Sequence, residues 1–354
     1  MKKRYINILF IIITTLFIWI LWSSDSETNN TILLLKQNNY YIKDLLISPS
    51  PSVCTENQFL VIIVTSYVGH VELRSVHRRS MPSSLLKSMN ITRIFLLAKI
   101  PPDERYITQE AIKDESTIFD DVLQGSFTEN YRNLTHKHLM GLQWASTVCK
   151  PSYILKVDDD TVYNLQSSHK LLLQMNKSND NLLIGYMLNN TKPRRSKQNK
   201  WYVTWEEYPR NEYPPYLSGW YYIITSKVAT SLCEEAVYHP YFWIDDIFVT
   251  GILTESLNIK LKQLPEDYWL EYYELLECCL TDMIIRSIRC NYVVGPNGGR
   301  NNLMLEFTEA IRNCDDWRNC TRRVSEKSLK NECVVNKERN IFSNGTAEVH
   351  YVRL

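Results

Sequence analysis

Apolar positions along the chain fall into three patterns, and each predicts a different kind of element. The first is an almost unbroken apolar run at residues 5–22, close to the ~20 residues that cross a bilayer as a helix. The second is the short continuous run rich in β-formers, as at 59–67, 93–98 and 153–157, which reads as a strand buried on both faces. The third is helical spacing. Leu134, Leu139, Leu142, Trp144 and Val148 fall on one stripe of a helix over 133–149, which Lys150-Pro151 ends.

Between these, a basic helix at 74–81 ends before Pro82, and further helices are predicted at 103–116, from 165 to about 175, at 226–237 and up to about 257. Short strands are predicted at 119–123 and 182–186, and an aromatic turn at 212–222 runs into another. Residues 192–200 read as a solvated basic loop. Strands alternating with helices indicate an α/β unit with a largely parallel sheet.

The N-terminal flanks give the apolar run an orientation. Lys2, Lys3 and Arg4 precede it and Asp25 and Glu27 follow, so the positive-inside rule leaves a tail at 1–4 in the cytosol and everything after 22 in the lumen. A cleaved signal peptide is the rival, but the run is long for one and no small-residue cleavage pattern follows Trp22. Ser, Asn, Thr and Pro dominate 23–53, as in a stem. An α/β domain is expected at 54–265 and a cysteine-rich extension at 266–354. Sequons at Asn29, Asn90, Asn133, Asn176, Asn189, Asn319 and Asn344 agree with a luminal chain. Nine cysteines without a zinc-type CxxC pair point to disulfides and leave at least one thiol over. The net charge of +1 argues against a general nucleic-acid binder.

Two acidic clusters carry candidate chemistry. Asp158, Asp159 and Asp160 end the apolar strand that starts at Tyr153, and the carboxyl ends of strands are where open α/β sheets bind ligands. Three adjacent carboxylates repel one another unless a hard divalent cation offsets them; a solvated acidic turn is the plainer alternative. Asp245 and Asp246 lie between aromatic residues and an apolar helix, where Asp245 could be an N-cap. No Gly-rich phosphate loop, HExxH motif or nucleophile elbow is present.

Five motifs in one order resemble the β1,3-glycosyltransferases of family 31, over roughly residues 59–257. They are Arg74-Ser75-Val76-His77-Arg78-Arg79-Ser80-Met81, the segment 127–135 followed by Lys137 and Trp144, Lys156-Val157-Asp158-Asp159-Asp160, Tyr213-Pro214-Pro215-Tyr216-Leu217-Ser218-Gly219, and Ile244-Asp245-Asp246-Ile247-Phe248-Val249-Thr250-Gly251. The resemblance implies a GT-A type nucleotide-sugar glycosyltransferase fold, a Rossmann-like mixed sheet flanked by helices, with 54–265 as its catalytic domain behind the N-terminal transmembrane helix. It implies a divalent metal, usually Mn2+, at Asp158 and Asp160, a UDP-sugar contacted by Asp158, Asp159, Arg74 and Arg78, and Asp246 as catalytic base. The activity implied is inverting β1,3 transfer of a hexose, galactose first, to a glycan acceptor on a glycoprotein or glycolipid in the Golgi membrane. N-Acetylglucosamine or N-acetylgalactosamine transfer is the alternative, and a catalytically silent luminal binding protein of the same fold is a third reading. Met81 stands where the family has Trp, Asp245 where it has Glu, and His77 where it has an aliphatic residue. The histidine that some members place after the catalytic acid has no counterpart between Asp246 and His350.

Overall fold

The computed structural model describes residues 44–175, 181–265, 268–315, 320–323 and 329–333. The apolar run at 5–22, most of the stem and the sequons at Asn29, Asn176, Asn319 and Asn344 lie outside the described residues. Among the described residues no helix is long and apolar enough to cross a membrane.

Nine strands matter for the site: β1 (Leu45–Ile47), β2 (Leu60–Thr65), β3 (Ile91–Lys99), β4 (Val122–Thr128), β5 (Tyr153–Asp158), β6 (Thr161–Tyr163), β7 (Leu183–Leu188), β8 (Tyr216–Thr225) and β9 (Lys262–Gln263). All but β6 form one sheet in the order β1-β4-β3-β2-β5-β8-β7-β9. Strands β4, β3, β2 and β5 are parallel, as the alternation predicts. Strand β8 runs antiparallel to both β5 and β7, which makes the sheet mixed. Residues 45–47, expected in the stem, pair antiparallel with β4 at the sheet edge.

The unbroken apolar runs have a direct explanation. Leu60, Ile62 and Val64 face one core with Leu155, Phe95 and Phe307, whereas Val61 and Ile63 face a second with Leu139, Trp144 and Phe248. A central strand alternates between two buried faces and so needs apolar side chains throughout. The first core is covered by the helix Val71–Ser80 and by residues after 268, among them Leu270, Leu276 and Met304. The second lies under the helices Leu134–Trp144 and Ser226–Glu235.

Two expected boundaries move. The helix expected at 103–116 is Gln109–Phe119, because the Thr108 side chain accepts from the Ala111 N–H and caps it later than the polar pattern suggests. It ends at Asp120, which is left-handed at φ 50°, and this moves the next strand from 119–123 to Val122–Thr128.

Disulfides join Cys54 to Cys149, Cys278 to Cys333, Cys279 to Cys290 and Cys314 to Cys320, leaving Cys233 as a buried free thiol. The cysteine-rich segment also sends a strand back to the site. Val294–Pro296 pairs antiparallel with β6, directly after the acidic turn. Gly298 follows at φ 62°, packed so closely on the Tyr273 ring that a Cβ there would overlap it.

Candidate active site

A cavity of about 780 Å³ opens at the sheet edge where β2 and β5 end and β8 begins. Its walls include Thr65, Asp158, Asp160, Ser218, Gly219, Asp245 and Asp246. Parallel register sets Thr65 beside Asp158, and antiparallel pairing with β5 brings the start of β8 to the same edge. The two acidic clusters, more than eighty residues apart in sequence, therefore share one cavity.

The three acids of the turn have different environments. Asp158 accepts from Lys156 Nζ at 2.6 Å, yet burial outweighs that pairing and its carboxyl is raised. Asp159 turns away from the cavity. Its Oδ2 accepts from the Ser66 hydroxyl at 2.7 Å and lies 2.9 Å from His70 Nδ1, and against the cost of burial these partners hold its carboxyl below its usual range. Asp160 faces the cavity, and among the described residues no side chain donates to it. Although the side chain is open to the cavity, desolvation by the surrounding walls, then the charges of Asp158 and Asp159, push its carboxyl up to about 7. Its backbone carbonyl accepts from the Asn297 N–H at 3.0 Å, so the C-terminal segment pins the turn.

Lys156 stands between the clusters. It is buried, donates to Asp158 and to the Gly219 carbonyl, and keeps its charge because the surrounding carboxylates outweigh the opposing effect of burial. Gly219 is the contact point with the second cluster, since a Cβ there would come within 3.2 Å of the Asp246 Cβ. Any side chain at 219 would force Asp246 to give by a few tenths of an ångström, so glycine suits this close approach of β8.

Asp245 and Asp246 then divide their roles. Asp246 Oδ1 accepts from the Ile247 N–H at 2.9 Å, so the terminal hydrogen bond expected of Asp245 is made by Asp246. Asp245 Oδ2 instead lies 2.9 Å from Nδ1 of His138, which is fully buried. The other ring nitrogen of His138 meets the Tyr222 hydroxyl. Burial keeps His138 neutral and Tyr222 protonated, so Tyr222 donates to Nε2 and Nδ1–H donates to Asp245. Against burial, His138 and Lys156 hold the Asp245 carboxyl low. Burial, and then the adjacent Asp245 charge, push Asp246 up to about 7. A carboxylate with that affinity is suited to accept a proton near neutrality.

Arg74 and Arg78 are not brought to this cavity. Arg74 is fully buried and bidentate to Glu115 at 2.8 Å through both Nε and Nη2. Arg78 pairs with Glu115 and Asp121 and stacks on Phe119. One helical turn apart, both point at the neighbouring helix Gln109–Phe119, so their charge is spent on joining elements. Two features escaped the sequence reading. His138 looked like one more position on an apolar helix, and the loop expected to be solvated supplies Lys192, Arg194 and Lys200 to the cavity wall.

Among the described residues no three His, Cys, Asp or Glu side chains converge as a metal cage. The oxygens of Asp158 and Asp160 nonetheless fit a hard divalent cation of the type held by one or two carboxylates together with a ligand's phosphates. The unpartnered, proton-attracting Asp160 is where such a charge would be offset.

Residues 73–265 match the Galactosyltransferase family. Over 230 residues the chain is 31% identical to β-1,3-galactosyltransferase 1 of Mus musculus, covering 64% of this chain and 69% of that one. Over 242 residues it is 30% identical to β-1,3-galactosyltransferase 2 of Homo sapiens, covering 67% of this chain but only 56% of that one. It thus spans little more than half of the latter. Among solved structures, a galactosyltransferase in complex with donor and acceptor sugar analogues aligns with 75% of this chain and 98% of its own at 12% identity and a TM-score of 0.38, a likeness that carries no argument.

Proposed function

Because the chain belongs to the galactosyltransferase family, we propose that it transfers a hexose, galactose first, from a UDP-sugar to a glycan hydroxyl with inversion, forming a β1,3 linkage. The single observation that supports this is that Asp158 and Asp160 share one cavity with Asp246, with Lys156 and Gly219 between them. Asp158 and Asp160 would hold a divalent cation such as Mn2+, which when bound supplies positive charge to offset that of a diphosphate leaving group.

The chain's own residues account for the other half of the reaction. Asp246 takes the proton from the acceptor hydroxyl as its oxygen bonds to the anomeric carbon, while the bond to the diphosphate breaks and UDP leaves with the electron pair. One displacement inverts the configuration, so no covalent nucleophile is needed. Lys156 holds Asp158 in place from beneath, and Asp245, fixed by His138, keeps its neighbour's affinity for a proton high.

UDP release by the full chain, with UDP-galactose, UDP-N-acetylglucosamine and UDP-N-acetylgalactosamine and simple sugar acceptors, tests the reading. Turnover highest with UDP-galactose and lost in Asp160→Asn, together with weaker UDP-sugar binding, is the expected result. Turnover with an N-acetylated donor alone reassigns the sugar, and no turnover with any donor favours a silent binding protein.

A further inference from the structure

The loop after β7 is basic, and its two adjacent arginines have opposite fates. Arg195 is an internal clamp. Its Nη1 donates to the carbonyls of Val203 and Thr204 at 2.9 and 2.7 Å, its Nη2 to those of Tyr208 and Arg210 at 2.7 and 3.1 Å, and its guanidinium lies 3.9 Å from the Trp205 ring centre. Further backbone bonds, Val203 N–H to Arg194 O and Tyr213 N–H to Thr191 O, both 2.9 Å, fix the same stretch. Arg194 lines the cavity, and among the described residues its side chain has no hydrogen bond or ion pair. A clamped loop that presents an unpaired guanidinium to a cavity has the build of a preorganised anion subsite.

Strand order shows which ligand meets it. The loop follows β7, which runs parallel to β5 with the antiparallel β8 between them, so it leaves the sheet at the same edge as the acidic turn, two strands along. Asp246 packs on Gly219 of the intervening β8. The acidic turn and the Arg194 loop thus follow strands on opposite sides of β8, which fits a site with the acids at one end and the guanidinium at the other. Beside Arg194 the wall is aromatic. Trp201 Nε1 donates to the Tyr131 hydroxyl at 2.9 Å, and Lys200 Nζ lies 4.5 Å over the Tyr131 ring. Rings of this kind cover the apolar face of a sugar while a nearby cation takes its charged substituent.

We propose that Arg194, supported by Lys200, forms an anion subsite that selects glycan acceptors carrying a carboxylate or sulfate close to the reacting hydroxyl. The subsite rests on the transfer reading above for its orientation, but a binding measurement can test it without turnover.

The full chain, saturated with UDP, is titrated with methyl β-galactopyranoside, its 6-sulfate and the matching methyl galacturonide. Both charged sugars are expected to bind about tenfold tighter than the neutral one, the scale of one hydrogen bond to a charged group. That preference is expected to collapse in Arg194→Gln, to survive in part in Arg194→Lys, and to persist in Lys197→Gln, which alters an exposed lysine of the same loop that does not line the cavity. Equal binding of charged and neutral sugars, or a preference intact in Arg194→Gln, overturns the proposal. UDP-glucuronic acid and UDP-galactose form the second arm. If Arg194→Gln weakens only UDP-glucuronic acid, the anion belongs to the donor sugar and the acceptor assignment is wrong. If no donor supports transfer yet the charged sugars keep their Arg194-dependent preference, the transferase reading fails and the subsite stands.

Discussion

Asp246 and Asp245 are adjacent carboxylates whose surroundings drive them apart. Asp246 is raised by burial and by the Asp245 charge, whereas Asp245 is held low by His138 and Lys156. Asp246→Asn keeps the shape and removes the proton acceptor, so transfer should fall by ~10²–10⁴-fold with UDP-sugar binding retained. Its effect on stability follows from the sign of the shift. A carboxyl whose folded pKa is raised from 3.8 to about 7 favours the native state when protonated, and that contribution is lost as pH climbs through about 7. Asp246→Asn should therefore melt a few degrees above the parent at pH 8 and lose that advantage near pH 4. An unchanged melting temperature at pH 8 would contradict the raised affinity. Asp245→Asn separates the two roles, because losing its charge lowers Asp246 and should move the acidic limb of the kcat/KM profile to lower pH. The groups facing Asp245 are His138, Lys156, Asp158, Asp246, Tyr131, Tyr222 and Tyr241, and burial lowers the histidine from its usual range. His138→Gln, which can still donate to Asp245, separates its titration from that of Asp246. A limb that stays in place in Asp245→Asn would mean that burial alone sets the base.

Between residue and molecule, the informative element is the strand Val294–Pro296. It holds β6 by antiparallel pairing, and the following Asn297 N–H holds the Asp160 carbonyl. Its approach is anchored by the Cys279–Cys290 disulfide, four residues upstream of Val294, and by the Leu270 N–H bond to the Val294 carbonyl. Removing a native disulfide from a small domain typically costs about 2–5 kcal/mol. The double variant Cys279→Ala, Cys290→Ala should thus lower the melting temperature and raise the KM for UDP-sugar more than it lowers kcat, because the turn, and not the base, loses its support. Loss of stability with an unaltered KM would show that β5 and β6 orient the turn unaided.

At the scale of the whole molecule, one hydrophobic core joins Leu60, Leu155 and Tyr221 of the central sheet to Leu276, Met304 and Phe307 of the C-terminal segment. Truncation near residue 265 exposes that face and should yield insoluble protein, whereas a chain extending past Cys333 retains it. The other whole-molecule question is placement. Lys2, Lys3 and Arg4 ahead of the apolar run at 5–22 predict a single span with the sheet on the luminal side. In cells the protein should remain with membranes after alkaline extraction and lose mass on endoglycosidase treatment; a secreted form cleaved after Trp22, or a chain never glycosylated, refutes this topology. Asn189 lines the cavity wall, so a glycan there would crowd the cavity, and Asn90 and Asn133 are the sequons expected to carry sugar among the described residues.

Local pattern alone determined the central strands β2, β3, β4, β5, β7 and β8, to within a few residues, together with the covering helices and the position of the acidic turn, but not the short edge strands β1, β6 and β9. A strand buried on both faces must be apolar at consecutive positions and a covering helix at every third or fourth, and both rules act over a few neighbouring residues. Asp158 at the end of β5 was legible for the same reason, because the apolar run stops where the strand leaves the core. Tertiary structure decided what each charge faces. Nothing near Arg74 in the chain indicates Glu115, forty-one residues on, and nothing near His138 indicates Asp245, 107 residues on. The basic loop is similar, since Arg194 and Arg195 are the same residue type side by side, and only the fold turns one into four carbonyls and the other into the cavity. Burial leaves a periodic trace in sequence because every turn of an element repeats it, whereas an ion pair forms once, between elements whose meeting the chain encodes only through the fold as a whole.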